Sequence, residues 1–253
     1  MKCAMTSVLS AILLALSAAV IAAPSTLQFN GYAYDLETGR FLYTEVHEQK
    51  IENQRWLGGT ITYIAPDGAI IGTKTTDFSQ DPFIPVFRLE LNAGNRYVEG
   101  ISAVSKDTVS MYRKHFKDDV EQVENISRPP ATVADSGFHS FVWAHFTELM
   151  AGKKLRFSFA VASNLDVYRF RVQRIEDGTF ENKPVVRFRV QPDSLLRLLV
   201  DSLELSYDAD TRQLLEYHGM SNLHNPATGD AYNVRVIYPS KPPADVPALP
   251  SRL

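Results

Sequence analysis

Cysteine is almost missing. The chain has 253 residues and one cysteine, Cys3. Disulfides, thiolate metal sites and a thiol nucleophile are therefore excluded from everything beyond residue 3. Long apolar runs are missing as well: after Ala23 no stretch approaches the roughly 20 residues of a spanning helix. Neither sign of charge prevails, with 26 Lys and Arg against 29 Asp and Glu and a net charge of −3. A chain so balanced has no overall electrostatic footprint for nucleic acid or an anionic membrane. Motifs of catalysis are lacking too. The six histidines form no HExxH. "GMSNL" around Ser221 lacks the second Gly of a nucleophile elbow. "AGKK" lacks the upstream Gly of a phosphate loop, and GxGxxG does not occur. The carboxylates read as scattered over turns and outward strand positions. No catalytic residue, metal ligand set or cofactor is expected.

What is present begins with the N-terminus. Lys2 precedes an apolar run that ends in "AAVIAAP", the layout of a signal peptide cleaved after Ala22. Cleavage removes one lysine, the only cysteine and no carboxylate. An uncleaved anchor is the alternative, since the 20 residues from Ala4 to Ala23 carry no charge. The expectation is export to the periplasm, with no transmembrane span left after cleavage and a core that holds the fold without disulfides.

Short alternating segments separated by turn residues predict antiparallel strands. In a first half, residues 23–117, they fall at 27–35, 41–48, 60–64, 69–76, 86–91, 97–102 and 109–115. Residues 118–134, charged and then proline-containing, read as a crossing. The second half, 135–238, opens on one long helix, "ADSGFHSFVWAHFTELMAGKK". Asp135 or Ser136 would cap it, Phe138, Phe141, Val142, His145, Phe146 and Leu149 recur at helical spacing, and Gly152 ends it. On that stripe His145 reads as a core histidine. Strands follow at 155–161, 167–175, 184–191, 203–208, 213–220 and 232–238, with a helical turn at 195–200. Residues 239–253, rich in proline, read as a disordered or extended tail. The fold class is mainly β: a strongly curved antiparallel meander packed on one aromatic helix.

The word RFRV occurs twice, at Arg169–Val172 and Arg187–Val190, on either side of Glu176-Asp177-Gly178. With Glu176-Asp177-Gly178 as the turn signal, one hairpin whose loop centres near Thr179 would put Phe170 opposite Phe188 and Arg171 opposite Arg187, with the arginines on one face. Like charges directly opposite destabilise a strand pair. Glu204, Asp208, Glu216, His218 and Arg235 on later strands would answer them as an ion-pair lattice. The rival reading is an anion-binding patch of Arg156, Arg169, Arg171, Arg187 and Arg189, whose guanidinium forks suit carboxylate or phosphate. On the apolar side of the same strands, either a filled core or a groove for an acyl chain is open.

"NGYAYDLETGRFLYTEVHE", "DSGFHSFVWAHFTELMAGKKLRFSFAVASNLDVYRFRV" and "PDSLLRLLVDSLELSYDADTRQLLEYHGMSNLHNPATGDAYNVRVIYP" together resemble a family of uncharacterised exported proteins of Gram-negative bacteria. The resemblance implies a β-rich protein of the periplasm or outer-membrane side and assigns no activity. The functional expectation is a non-enzymatic envelope protein that binds a lipid or another apolar or anionic small molecule. A periplasmic hydrolase with a site built from turns is the alternative.

Overall fold

The computed structural model describes residues 25–53, 55–92, 96–115, 120–193, 202–226 and 228–250. The signal-like segment and the turn expected at 195–200 lie outside them. Alternating sequence builds nearly all of the rest. The first strands are β1 (Ser25–Asp35), β2 (Phe41–Glu52), β3 (Arg55–Ile64), β4 (Ile70–Asp77), β5 (Val86–Leu91), β6 (Tyr97–Val104) and β7 (Thr108–His115). Then come β8 (Gln122–Ser127), β9 (Thr132–Ala134), α1 (Gly137–Ala144), α2 (Phe146–Met150) and β10 (Leu155–Val161). After a 3-10 turn at Ala162–Asn164 the chain forms β11 (Asp166–Arg174), β12 (Gly178–Phe180), β13 (Lys183–Pro192), β14 (Leu203–Tyr207), β15 (Leu214–His224) and β16 (Ala231–Ile237).

The strands make one 16-stranded sheet in the order β8-β7-β6-β5-β4-β3-β2-β1-β16-β15-β14-β13-β11-β10-β9, with β12 paired to β13. Every neighbouring pair is antiparallel except β9 with β10. Because β1 pairs with both β2 and β16, the two halves belong to the same sheet. Among the described residues no ladder joins β8 to β9, so the sheet is open. It curls until its ends meet through other contacts. Arg113 of β7 donates to the Ser163 carbonyl beyond β10. Ala134 N in β9 donates to Phe83 O, between β4 and β5, at 2.9 Å. Gly137 allows this seam: a Cβ there would lie 2.0 Å from Phe83 O.

Two cores result. Tyr43, Ile61, Tyr63, Leu89, Ile101, Met111 and Val236 fill the curl of the first half, joined by Ala134, Ala160 and Ala162 from across the seam. Phe138, Phe141, Val142, Phe146 and Leu149 cover Phe157, Val172, Phe188, Leu205 and Tyr207 in the second. The apolar side of the RFRV strands is thus occupied by side chains of α1 and α2.

Four expectations need correction. The helix is not one long element: α1 has 8 residues and α2 has 5, divided at His145, whose φ of −103° and ψ of 14° leave the helical region. His145 is not core. Its ring is 35% exposed and its Nδ1 lies 2.7 Å from Glu148 Oε1. The hairpin does not turn at Glu176-Asp177-Gly178. Glu181 and Asn182 turn it, with φ of 47° and 63°, the positive pair that a two-residue type I′ turn requires. The register moves accordingly: Phe170 faces Pro192, Arg171 faces Gln191, and Val172 faces Val190. No arginine therefore faces another between β11 and β13, although Arg156 of β10 does face Arg171 of β11. Finally, the crossing at 118–134 contains strands β8 and β9. Beyond Tyr238 the proline-rich stretch carries no strand or helix, and it lies against the sheet. Tyr34 Oη donates to Asp245 Oδ1 at 3.3 Å, and Ser240 Oγ to Glu181 Oε2 at 3.1 Å.

Candidate functional site

Strand alternation sends Arg187 and Arg189 of β13, Glu204 and Ser206 of β14, Glu216 and His218 of β15, and Arg235 of β16 to the face opposite α1 and α2. Glu204 faces Arg189 in register. Its Oε1 accepts from Arg189 at 2.7 Å and its Oε2 accepts from Arg187. Glu216 Oε1 accepts from Arg235 at 2.5 Å and has His218 Nε2 at 3.2 Å. Asp193, just beyond β13, takes Arg156 at 2.8 Å and Arg171 at 3.7 Å. Arg169 is exposed and has no ion pair among the described residues; its carbonyl accepts from Asp193 N at 2.9 Å. All five predicted arginines are thus placed: two on Glu204, two on Asp193, one without a carboxylate. Asp208, expected in the lattice, instead caps its own turn by accepting from Asp210 N and Thr211 N.

Each carboxylate of this face has two basic side chains beside it. Burial pushes the Glu204 carboxyl up, but Arg189 and Arg187 outweigh it and hold it below the ordinary value. At Glu216 burial again opposes ionisation, and His218 with Arg235 outweighs it, leaving a value of about 2. Both are permanent anions near neutral pH. Six guanidiniums (Arg156, Arg169, Arg171, Arg187, Arg189 and Arg235) meet three carboxylates (Asp193, Glu204 and Glu216). Beside them is a depression of about 140 Å³ lined by Thr179, Arg187, Glu204, Ser206, Glu216 and His218.

A second group of charges lies inside the curl, where sequence reading placed none. Lys74 of β4 has Ile61 and Leu89 as cross-strand neighbours. Its Nζ donates to Asp135 Oδ1 at 2.9 Å and Oδ2 at 3.0 Å, with side chains 7% and 5% exposed. Asp135 also accepts from Ser136 N at 2.6 Å and Asn222 Nδ2 at 3.0 Å. Burial raises its carboxyl, and Lys74 and Ser136 outweigh that and keep it ionised. Its φ of 45° is unusual for a non-glycine residue. Five bonds to one carboxylate pin that turn between β9 and α1. Glu45 of β2 lies 2.9 Å from His47 Nε2 and accepts from Tyr238 Oη at 3.1 Å.

Glu99 of β6 faces Arg113 of β7 in register, and its Oε2 accepts from Tyr97 Oη at 2.7 Å. Burial pushes its carboxyl from 4.5 up to about 7; Asp135 adds to the rise, while Tyr97, Lys74 and Arg113 oppose it. The folded chain therefore binds this proton more tightly than the unfolded chain. The resulting stability is present below about pH 4.5 and is lost as pH rises through about 7. Urea unfolding should show wild type losing about 2–3 kcal/mol between pH 5 and pH 8 relative to Glu99→Gln. Parallel pH profiles for the two proteins would contradict this.

These residues define an open, curled antiparallel β protein with an arginine-rich outer face and a charged interior. No family model matches the chain, and no curated protein matches it. Among solved structures it is similar to a beta-barrel-like protein of a domain of unknown function, DUF1849, from Brucella abortus. The two are 9% identical over 87% of this chain and 97% of the other, with a TM-score of 0.40. That likeness assigns neither family nor activity. Among the described residues, no helix is long and apolar enough to cross a membrane.

Proposed function

We propose that this chain is an exported, non-enzymatic protein of the bacterial cell envelope that holds an anionic small molecule, first of all a lipid headgroup, on its arginine face. The surplus of guanidiniums carries the reading. Three shared carboxylates leave donors on Arg156, Arg189 and Arg235 turned to solvent, with side chains 72%, 41% and 45% exposed. Guanidinium forks bind carboxylate and phosphate bidentately. The depression beside Arg187 supplies a concave place for one such group. Side chains of the helices occupy the apolar side of these strands, so the anion rather than an acyl chain is what the face recognises. The basic, apolar and small-residue order of the N-terminus supports export.

Vesicle co-sedimentation tests it. Phosphatidylglycerol vesicles should retain the protein and phosphatidylcholine vesicles should not, with retention falling as salt is raised. Arg187→Ala with Arg189→Ala should reduce retention at least about tenfold, because two charge-assisted contacts are lost. Stability should change by no more than about 1–2 kcal/mol, since both ion pairs are partly exposed. Equal retention by neutral vesicles, or unchanged retention of the double variant, would contradict the proposal.

The second reading, a hydrolase, is favoured by Glu99, whose carboxyl titrates near neutrality as a general acid or base does. Hydrolysis of a p-nitrophenyl ester or phosphate that disappears in Glu99→Gln would support it over binding alone. Wild type without such activity would count against it.

A further inference from the structure

The two ends of the open sheet are treated differently. At one end all three residues of β9 are buried, and Ala134 N bonds to the Phe83 carbonyl. At the other end β8 pairs with β7 along one side, and among the described residues no strand pairs with its other side. β8 has no buried residue, alone among the described strands. Val123 within it is 53% exposed, and Val120 just before it is 72% exposed. Proteins ordinarily guard an open edge with lysine, proline or a bulge. β8 contains neither residue, and its register with β7 runs without a shift.

The register fixes which main-chain groups face outward. Arg128 N donates to Asp107 O at 2.8 Å, and these two residues continue the ladder that pairs Thr108 with Ser127. In an antiparallel ladder the bonded residues recur at every second position. Ile126, Glu124 and Gln122 therefore turn their N–H and C=O groups to β7. Glu121, Val123 and Asn125 turn theirs to the open side.

We propose that this edge pairs with the same edge of a second copy of the chain, antiparallel, about a two-fold axis at Val123. The outward groups belong to odd-numbered residues, so the new bonds join odd to odd. Val123 then faces Val123, and Glu121 faces Asn125. Between them Gln122 faces Glu124, and Val120 faces Ile126. Each exposed valine gains an apolar partner, and each glutamate meets an amide. Ile126 already packs against the core of the first half, so Val120 of the other copy extends that core. No neighbouring register does this. An axis at Glu124 sets Glu124 against Glu124, one at Gln122 sets Val120 against Glu124, and one at Asn125 sets Ile126 against Glu124. The dimer is independent of the anion-binding reading. A six-residue strand makes a small interface, so it should dissociate reversibly on dilution.

Sedimentation equilibrium of the protein purified from the cells that produce it tests the pairing. At about 100 µM wild type should approach twice the chain mass. Val123→Pro removes an N–H that β7 does not use, so the fold should persist while dimerisation weakens at least about tenfold. Val123→Lys, which sets two ammoniums opposite each other, should do the same and serves if the proline variant does not fold. In a Cys3→Ser background, mild oxidation should link Val123→Cys into dimers and leave Asn125→Cys, whose partner is Glu121, unlinked. Monomeric wild type at that concentration would overturn the proposal and leave the edge to an extended segment of another protein. A folded Val123→Lys protein that dimerises as wild type does, or equal linking of the two cysteine variants, would overturn it as well.

Discussion

Lys74→Met should destabilise the protein by about 3–5 kcal/mol. The substitution removes the ammonium from Asp135 and leaves an ionised carboxylate in the interior with a 5% exposed side chain, and an unpaired buried charge is among the most destabilising of single changes. The partner cannot escape cheaply. Asp135 sits at a φ of 45°, pinned by Ser136 and Asn222, so it cannot swing out to water without releasing the start of α1. A neutral partner should recover much of the loss. Asp135→Asn tolerates the left-handed backbone and can still accept from Ser136 N. The double variant Lys74→Met, Asp135→Asn should therefore be more stable than Lys74→Met alone, by at least about 1 kcal/mol. Urea midpoints of the two single variants and the double variant give the coupling. A Lys74→Met protein with a wild-type midpoint would mean that this pair does not hold the curl together.

Phe146→Ala should cost a similar amount, about 3–5 kcal/mol, for a different reason. The ring is 3% exposed and packs edge-on against Phe188 at 5.5 Å and Tyr207 at 6.0 Å. Arg212 lies over its centroid at 5.3 Å. Truncation leaves a cavity between α2 and the sheet that the 5-residue helix cannot collapse into without breaking the turn at His145. Phe146→Leu keeps most of the volume and should lose less than about 1.5 kcal/mol. Thermal melts of Phe146→Ala and wild type that overlay would place this ring outside the core.

Strands were the legible part of the sequence. Val86–Leu91 and Leu155–Val161 are strands with the predicted bounds, because in each an apolar set alternates between clear turn residues. The failures have local causes. Phe138 to Leu149 keeps helical spacing across the break, and spacing cannot register the one residue that leaves helical dihedrals at His145. Asp177-Gly178 is a stronger turn word than Glu181-Asn182. The real turn uses φ values that glutamate seldom adopts, and the sheet extends past the Gly to form β12.

The interior charges were hidden by the assumption that polar alternates face water. In β2 the set Tyr43, Glu45, His47 and Gln49 is the one turned inward, and Leu42 and Thr44 on the other face are buried too. Period two shows that a strand has two faces; it does not show which is inside when both are covered. The visible signal was Gly72, Lys74 and Thr76 in β4, a face with no large apolar residue. Such a face in the middle of a sheet either meets solvent or meets an unusual interior. The arginine face was legible because its charges stand alternately beside strongly apolar partners. Glu204 and Glu216 were read from the same alternation.

Native mass spectrometry of the protein purified gently from the cells that produce it tests the anion-binding account most directly. Wild type should carry an added mass that dissociates on activation as an anionic small molecule or lipid. The Arg187→Ala, Arg189→Ala protein, folded and prepared in the same way, should have lost it. A wild-type spectrum showing the bare chain, or the same adduct on both proteins, would contradict the claim that the arginine face is a binding site.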